Sequence, residues 1–269
     1  MEKAVILAGG LGTRMRRENP QAGLNEHQTQ VANSGIKALI PLDRPFLDYV
    51  LTALADAGYR RICLVINPQH DNLQRYYGET LQYRRLSMDF AFQQEPRGTA
   101  DAVYAARDFV GNDPFLVINS DNYYPVSALS DLRCLNNPGL TLFDRHAMLE
   151  HSNIAPDRLR KFAVVQTHPD TTMQRIIEKP QQELLDSLPP PIGISMNCWR
   201  FHKSIFPACE AITPSSRGEL ELPDAVQYSI DIFHQTYQTL YSQQPVLDMS
   251  SREDIPSMTT HLAGTMVHL

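Results

Sequence analysis

The stretch Leu7-Ala8-Gly9-Gly10-Leu11-Gly12-Thr13-Arg14 lies at the end of the short apolar run Ala4–Ala8. A continuous apolar run of this length is typical of a strand that is buried on both faces. Glycines directly after a strand let backbone N–H groups turn toward a polyphosphate, which a Cβ would obstruct. Arg14 adds a cation that can grip phosphate oxygens through two hydrogen bonds. The stretch therefore predicts a phosphate-binding turn, with an ordinary tight turn carrying one exposed arginine as the alternative.

This turn matches neither of the two common phosphate-binding fingerprints. A Walker loop would need Gly-Lys followed by Ser or Thr, and the dinucleotide fingerprint would need Gly-x-Gly-x-x-Gly. A nicotinamide-dependent oxidoreductase would also place an acidic residue at the end of the next strand. That strand ends here in Ile66-Asn67-Pro68, so the sequence disfavours such an oxidoreductase.

Strand-like and helix-like segments alternate after the turn. Apolar runs predict strands, and apolar residues at helical spacing predict helices, one capped by Asp43 and one from Gly98 to Phe109. The strands of this first half are expected at Arg61–Ile66, Met88–Gln93 and Phe115–Asn119. Such alternation favours a parallel sheet with crossover helices.

The second half of the chain is less regular. Around the turn at His168-Pro169-Asp170 we expect a β-hairpin. Its strands and the other elements of this half are expected at Phe162–Thr167, Gln174–Glu178, Gly193–Phe201 (strand), Leu222–Ile232 (helix), Tyr237–Tyr241 and Pro245–Asp248. The prediction is a single α/β domain with a mixed, mostly parallel central sheet flanked by helices.

Composition narrows the function classes. The 269 residues carry 24 Lys and Arg against 30 Asp and Glu, a net charge of −6, which disfavours a nucleic-acid partner. No apolar run approaches the roughly 20 residues of a membrane span, and the first apolar run is too short for a signal peptide. The four cysteines form no Cys-x-x-Cys pair, which disfavours a zinc knuckle or a disulfide framework. We expect a cytoplasmic protein with reduced thiols and no membrane partner.

Six segments, in order along the chain, resemble motifs of the sugar-1-phosphate nucleotidylyltransferases, also called nucleotide-sugar pyrophosphorylases. They are Gly9-Gly10-Leu11-Gly12-Thr13-Arg14, Gln93-Gln94-Glu95-Pro96-Arg97-Gly98-Thr99-Ala100, Ser120-Asp121-Asn122, Glu178-Lys179-Pro180, Arg217-Gly218-Glu219-Leu220-Glu221-Leu222-Pro223-Asp224 and Val246-Leu247-Asp248. The resemblance implies a Rossmann-like nucleotidyltransferase domain over residues 1–269. Residues 1–125 would form its NTP-binding half, and residues 126–269 its sugar-phosphate-binding half.

The resemblance also implies the reaction. An NTP and a sugar-1-phosphate, by default glucose-1-phosphate, would give an NDP-sugar and pyrophosphate by a Mg²⁺-assisted in-line attack. The base stays open: Gly98–Val103 resembles the adenylyl-transferring branch, whereas the chain length resembles the thymidylyl and uridylyl enzymes. Two alternative functions also remain open. They are a catalytically silent nucleotide-sugar-binding regulatory relative and an enzyme for a cyclitol or modified-sugar phosphate. Assembly as a homo-oligomer is left open as well.

Each motif implies a role for its residues. Asp121 ends a predicted strand, where open α/β sheets place ligands, and its hard oxygens suit Mg²⁺; Asp248 is the second expected metal ligand. The Gln93 amide is suited to reading a base edge. The expected catalytic residues are Arg14, Lys37 and Lys179; the expected nucleotide-binding residues are Leu7, Ala8, Gly9, Gly10, Gly12, Thr13, Gln93, Gly98 and Thr99; the expected substrate-binding residues are Asn122, Ala163, Glu178, Lys179 and Asn197.

Two departures from the family pattern carry expectations of their own. The polar segment Arg16–Gly35 between Arg14 and Lys37 is longer than the usual loop, and we expect it to form a long mobile flap over the triphosphate. Ala163 replaces the glycine at which the family's backbone approaches the sugar. Its extra methyl group is expected to narrow or redirect the choice of sugar.

Overall fold

Eleven strands form one large sheet and one two-stranded ribbon in the computed structural model, which describes residues 1–269. The strands are β1 (Lys3–Leu7), β2 (Arg61–Ile66), β3 (Ser87–Phe92), β4 (Phe115–Asn119), β5 (Asn122–Tyr123), β6 (Gly139–Asp144), β7 (Val164–Thr167), β8 (Met173–Ile177), β9 (Gly193–Phe201), β10 (Gln238–Ser242) and β11 (Leu247–Asp248).

The large sheet is mixed, and most of its strands are parallel. Its main path runs β10-β6-β9-β4-β1-β2-β3, and β7 and β8 form an antiparallel hairpin that pairs with β9. Along the main path only β9 runs against the other strands. The predicted α/β architecture, with its central parallel strands and its hairpin around His168, is therefore confirmed.

Thirteen helices surround the sheet. They are α1 (Thr13–Arg16), α2 (Glu26–Ser34), α3 (Phe46–Asp56), α4 (Asp71–Arg75), α5 (Thr99–Ala105), α6 (Arg107–Val110), α7 (Val126–Cys134), α8 (Arg145–His151), α9 (Pro156–Leu159), α10 (Gln182–Ser187), α11 (Phe206–Ala211), α12 (Leu222–Asp231) and α13 (Asp254–His261). None of them is long and apolar enough to cross a membrane.

The central strands are apolar on both faces because both faces are covered. In β1, Ala4 and Ile6 pack into one hydrophobic cluster with α3 and α7, whereas Val5 packs into a second cluster with α5, α11 and α12. Successive side chains of a strand point to opposite faces, so a strand between two layers of helices must be apolar throughout. The continuous run Ala4–Ala8 reflects this position. All four cysteines are free, as their spacing predicts.

Two local expectations were wrong, and some elements were missed. Asp43 does not cap α3, whose N-cap is Pro45 and has no side-chain cap. The helix expected from Gly98 to Phe109 is divided at Ala106 into α5 and α6. Strand β6, a central strand of the sheet, was not predicted, and neither was α7.

The segment Arg16–Gly35 has regular structure where a long mobile flap was expected. It contains a short 3₁₀ turn and the helix α2, which begins with a capping box formed by Asn25 and Gln28. The guanidinium of Arg252 holds both ends of the segment, since it donates to the Met15 carbonyl at 2.9 Å and to the side chain of Asn33. A folded and anchored segment of this kind frames the Gly-rich turn instead of closing over it.

Candidate functional site

A cavity of about 460 Å³ opens at the carboxyl ends of β1 and β4. Open α/β sheets bind their ligands at this edge. All nine residues that the sequence predicts for nucleotide binding line the cavity: Leu7, Ala8, Gly9, Gly10, Gly12, Thr13, Gln93, Gly98 and Thr99. Lys37, Asp121 and Asn197 line it as well. Residues separated by more than one hundred positions thus meet around one cavity.

The Gly-rich turn owes its shape to Gly12, the N-cap of α1. Its φ of 62° lies in the left-handed region, which residues with a Cβ rarely adopt. A Cβ at this position would also lie 2.7 Å from the Cα of Gly35 and closer still to the Gly35 carbonyl oxygen. Gly10, by contrast, has open space where a Cβ would stand. The two glycines therefore meet different requirements. Gly12 allows the backbone conformation of the turn, whereas Gly10 leaves open space next to the turn.

Glycine is required at position 98 for a structural reason that the sequence did not reveal. Its φ is 120°, and a Cβ there would lie 2.6 Å from the Leu220 nitrogen and closer still to the Leu220 carbonyl oxygen. The backbone of Leu220 also accepts a hydrogen bond from Ala100 at 2.9 Å. A side chain at Gly98 is thus excluded by the protein's own backbone, independently of any ligand.

Gln93 is buried and aims one side of its amide at the cavity. The Nε2 group donates to the Gly98 carbonyl and to Asp101 Oδ2, each at 2.9 Å. The Oε1 atom accepts no hydrogen bond from the protein and lies 3.1 Å from the position that a Cβ of Gly9 would take. The side chain of Gln93 therefore presents an acceptor, and not a donor, beside the Gly-rich turn.

Lys37 and Asp121 form an ion pair in the cavity wall. The Lys37 Nζ lies 2.7 Å from Asp121 Oδ2, and the two side chains are only 16% and 22% exposed. Lys37 is brought there by the 3₁₀ turn Lys37–Leu39, and Asp121 follows β4 directly. The site thus places one cation and one hard carboxylate side by side.

Asp248 lies beside Asp121 because β5 and β11 pair. The antiparallel ribbon puts Asp248 opposite Asn122, and the Met249 amide donates to the Asp121 carbonyl at 2.8 Å. Burial, together with the charge of the neighbouring Asp121, raises the pKa of the Asp248 carboxyl to about 6. Two carboxylates from distant parts of the chain are therefore close enough to repel each other.

The Asp248 carboxylate is held from several sides. Asn122 Nδ2 donates to its Oδ1 at 2.9 Å, and the guanidinium of Arg158 forms ion pairs with both Asp248 and Asp254. The Asp248 amide donates to Asn153 Oδ1 at 2.8 Å. A buried carboxylate needs such partners, because an unpaired charge away from water is costly. The network fixes the orientation of Asp248 before any ligand arrives.

The pair of carboxylates is the kind of donor set that Mg²⁺ accepts. Mg²⁺ is commonly held by one or two carboxylates, while substrate phosphates and waters complete its coordination. No group of three His, Cys, Asp or Glu residues anywhere in the structure could hold a metal by itself. Asp121 lines the cavity, whereas Asp248 lies outside the lining and both of its oxygens already have protein partners, Asn122 and Arg158. The two carboxylates would therefore suit a metal whose coordination is completed by phosphate and water, and not an all-protein cage.

Asn122 has a different place from the one expected. It is 2% exposed, it does not line the cavity, and its amide is used by protein partners. Its Nδ2 donates to Asp248, while its Oδ1 accepts from Asn119 Nδ2 at 3.1 Å and from the hydroxyl of Tyr124 at 3.3 Å. The structure thus corrects its expected role from substrate binding to the positioning of Asp248.

Ala163 also lies away from the place expected for it. It is 5% exposed and packs in the hydrophobic cluster under α12, away from the cavity lining. Its carbonyl accepts from the Ser195 amide at 2.8 Å, which ties it to β9. The expectation that its methyl group narrows the choice of sugar has no support from this position.

The remaining predicted residues lie outside the cavity lining. Arg14 is exposed on α1 and its side chain forms no hydrogen bond or ion pair, and Glu178 and Lys179 are exposed at the end of β8. Lys179 and Asn197 nevertheless share an unusual backbone, with φ of 45° and 54°. Strained residues of this kind cluster at binding sites. The register of β6 and β9 shifts next to Asn197, which turns this residue toward the cavity.

Three contributors were not singled out from the sequence. Glu219 lines the cavity, and its only signal was its place within the motif Arg217–Asp224. Asp101 holds Gln93, and it stands within the stretch Gly98–Val103 that was used only for comparison. Arg158 forms an ion pair with Asp248, 90 positions away in sequence, and no local sequence pattern predicts such a pair.

Comparisons with known proteins agree with this geometry. The model of the nucleotidyl transferase family matches residues 32–245. A glucose-1-phosphate thymidylyltransferase of Streptomyces griseus is 30% identical over 241 residues, which are 89% of this chain and 60% of that protein. The UTP–glucose-1-phosphate uridylyltransferase AglF of Haloferax volcanii is 26% identical over 229 residues, which are 85% of this chain and 83% of that protein.

The fold has close counterparts among solved structures. A crystal structure of UDP-glucose pyrophosphorylase complexed with UDP-glucose superposes with a TM-score of 0.75, covering 99% of this chain and 100% of that one at 17% identity. Identity at this level supports the fold alone. The chain spans about 60% of the length of several curated relatives it matches, which include the Streptomyces griseus thymidylyltransferase.

Proposed function

Because the chain belongs to the nucleotidyl transferase family, we propose that it transfers a nucleotidyl group from an NTP to a sugar-1-phosphate and releases pyrophosphate. The observation that carries this proposal is the convergence of the Gly-rich turn, Gln93, Lys37 and Asp121 on one cavity. In this reaction a phosphate oxygen of the sugar phosphate attacks the α-phosphorus, and pyrophosphate leaves in line. Since both reactants are anions, catalysis consists mostly of charge neutralisation and positioning.

We propose Asp121 and Asp248 as the residues that hold Mg²⁺. When bound, the metal would supply positive charge against the phosphate oxygens. Asn122 and Arg158 hold the Asp248 carboxylate in place, and Lys37 does the same for Asp121. The protein thus orients both carboxylates before the substrates bind.

The cations of the chain have distinct proposed duties. Lys37 already lies in the cavity wall, and we assign it to the α-phosphate. Arg14 has no protein partner, so its guanidinium is available to the β- and γ-phosphates and to the leaving pyrophosphate. Lys179 is assigned to the phosphate of the sugar, and Glu178 to the sugar hydroxyls.

For the nucleotide, we propose a uracil or thymine base. The free Oε1 of Gln93 is an acceptor, and the N3–H of these bases is a donor that complements it. Cytosine presents a lone pair at N3 and would meet the acceptor unfavourably. The relatives named above, a thymidylyltransferase and a uridylyltransferase, support the same choice. Glucose-1-phosphate is the proposed default sugar for the same reason.

The test is a grid of the common NTPs against several sugar-1-phosphates with Mg²⁺, read by pyrophosphate release. Release with UTP or dTTP and glucose-1-phosphate is the expected result, and the Asp121→Asn variant serves as the inactive control. No release in any combination would overturn the proposal. Nucleotide-sugar binding without release would identify the chain as the silent regulatory relative. Release only with a cyclitol or modified-sugar phosphate would correct the substrate.

A further inference from the structure

The orientation of the Gln93 amide depends on a residue outside the cavity lining. Asp101 lies in the first turn of α5, its side chain is 24% exposed, and its Oδ2 accepts from Gln93 Nε2 at 2.9 Å. The only other partner of Nε2 is the Gly98 carbonyl. Since both partners are pure acceptors, they fix which end of the amide is the donor.

We propose that Asp101 is a specificity-determining positioning residue, which locks the Gln93 amide so that the cavity presents an acceptor to the base. The inference rests on the proposed nucleotide site. If the amide turned over, Oε1 would face the Gly98 carbonyl and the Asp101 carboxylate, and three acceptor atoms would meet without a proton. A charged acceptor holds the donor more strongly than a neutral carbonyl. Asp101 therefore supplies most of the preference for the observed orientation.

The orientation of the Gln93 amide affects which pyrimidine base the cavity favours. With Oε1 facing N3 of the base, uracil and thymine donate their N3–H to it, whereas cytosine presents a lone pair at N3 and carries its donor on the N4 amino group instead. With the amide turned over, Nε2 would face the cavity and favour the N3 acceptor of cytosine. The consequence is that Asp101 governs the ratio of UTP to CTP affinity, although it contacts neither base.

The experiment measures the dissociation constants of UTP and CTP by calorimetry with Mg²⁺ and without sugar phosphate. The unmodified protein is expected to bind UTP at least about tenfold more tightly than CTP, the range of a single discriminating hydrogen bond. In Asp101→Ala, where only Gly98 remains to orient Gln93, the ratio should fall severalfold. Asp101→Asn should retain most of the ratio, since its side-chain oxygen can still accept from Nε2.

A matched control separates this role from a structural one. Asp108→Ala removes the same charge from α6, at a side chain that is 93% exposed, and should leave the ratio unchanged. A purely structural effect of Asp101→Ala would weaken both nucleotides equally and leave the ratio intact, which would overturn the inference. An Asp101→Asn variant that loses the ratio as fully as alanine would overturn it too. If the unmodified protein binds no NTP at all, the proposed function itself fails.

Discussion

The ammonium of Lys37 lies 2.7 Å from the carboxylate of Asp121, although 84 positions separate the two residues in sequence. Both side chains line the cavity and are largely shielded from water. A charge pair is stronger in such surroundings than on an open surface. Without ligands, each residue therefore neutralises the other, and ligand binding has to exchange this contact for contacts with phosphate and metal.

Replacement of Asp121 should have opposite effects on turnover and on metal-free nucleotide binding. In Asp121→Asn we expect turnover to fall by about 10²-fold or more, the size of loss seen when one group that stabilises charge in the transition state is removed. Without Mg²⁺, the same variant should bind NTP more tightly, because Lys37 is no longer paired. Pyrophosphate release and calorimetry in EDTA measure the two effects. Weaker metal-free binding would contradict the exchange between ion pair and phosphate.

Replacement of Lys179 should act on the sugar phosphate alone. In Lys179→Met the KM for the sugar phosphate should rise by about tenfold, as expected for the loss of one charge-assisted hydrogen bond. The dissociation constant for NTP should stay the same, since Lys179 lies outside the cavity lining. Lys203→Met, an exposed lysine paired with Asn112, is the control. Equal damage to NTP and sugar-phosphate binding would count against the assignment.

Arg158 should contribute to stability far more than a neighbouring arginine. It bridges Asp248 and Asp254, whose side chains are each 5% exposed, so Arg158→Met leaves buried carboxylates unpaired. Loss of one partner of a buried pair costs about 3–5 kcal/mol. Arg160→Met breaks an exposed pair with Asp157 and should cost less than about 1 kcal/mol. Urea unfolding of both variants gives the comparison, and equal free energies of unfolding would refute it.

The two glycines of the turn should separate folding from binding. Gly12→Ala forces a left-handed backbone onto a residue with a Cβ and pushes against Gly35, so it should cost at least about 2 kcal/mol. Gly10→Ala has open space and should change the free energy of unfolding by less than about 1 kcal/mol. If the turn cradles phosphate, Gly10→Ala should still weaken NTP binding. Thermal unfolding and calorimetry distinguish the two effects.

The sequence could predict those parts of the fold that local patterns determine. β1, β2 and β4 are nearly continuous apolar runs, because they lie between two layers of helices. β6 is also buried, yet Gly139 and Thr141 interrupt its apolar character, and it was missed. Helix α2 was mistaken for a mobile flap because it has no apolar stripe, and only Ala32 on it is buried. Its capping box was a signal that could have been used.

The candidate site likewise contains residues that local patterns predict and residues that they do not. The residues predicted for nucleotide binding lie at the ends of β1 and β3 or at the start of α1 and α5, so motif and strand order correctly predicted that they meet at one cavity. The partners that orient them could not be found from local patterns. Arg158 reaches Asp248, and Asn122 reaches Asp248 from the other side, only after β5 and β11 have paired. Such contacts depend on tertiary structure and leave no periodic trace in the sequence.

The contacts of Arg252 with Met15 and Asn33 have a consequence for when the N-terminal segment folds during synthesis. The Gly-rich turn precedes the side chain that fastens the adjoining segment by a long stretch of chain, since Arg252 lies 237 positions beyond Met15. Contacts of this separation form late, because a long stretch of chain must be ordered first. On the ribosome, the Gly-rich turn should therefore remain unfastened until Arg252 has emerged. A nascent chain stopped before residue 252 should leave this segment open to proteases.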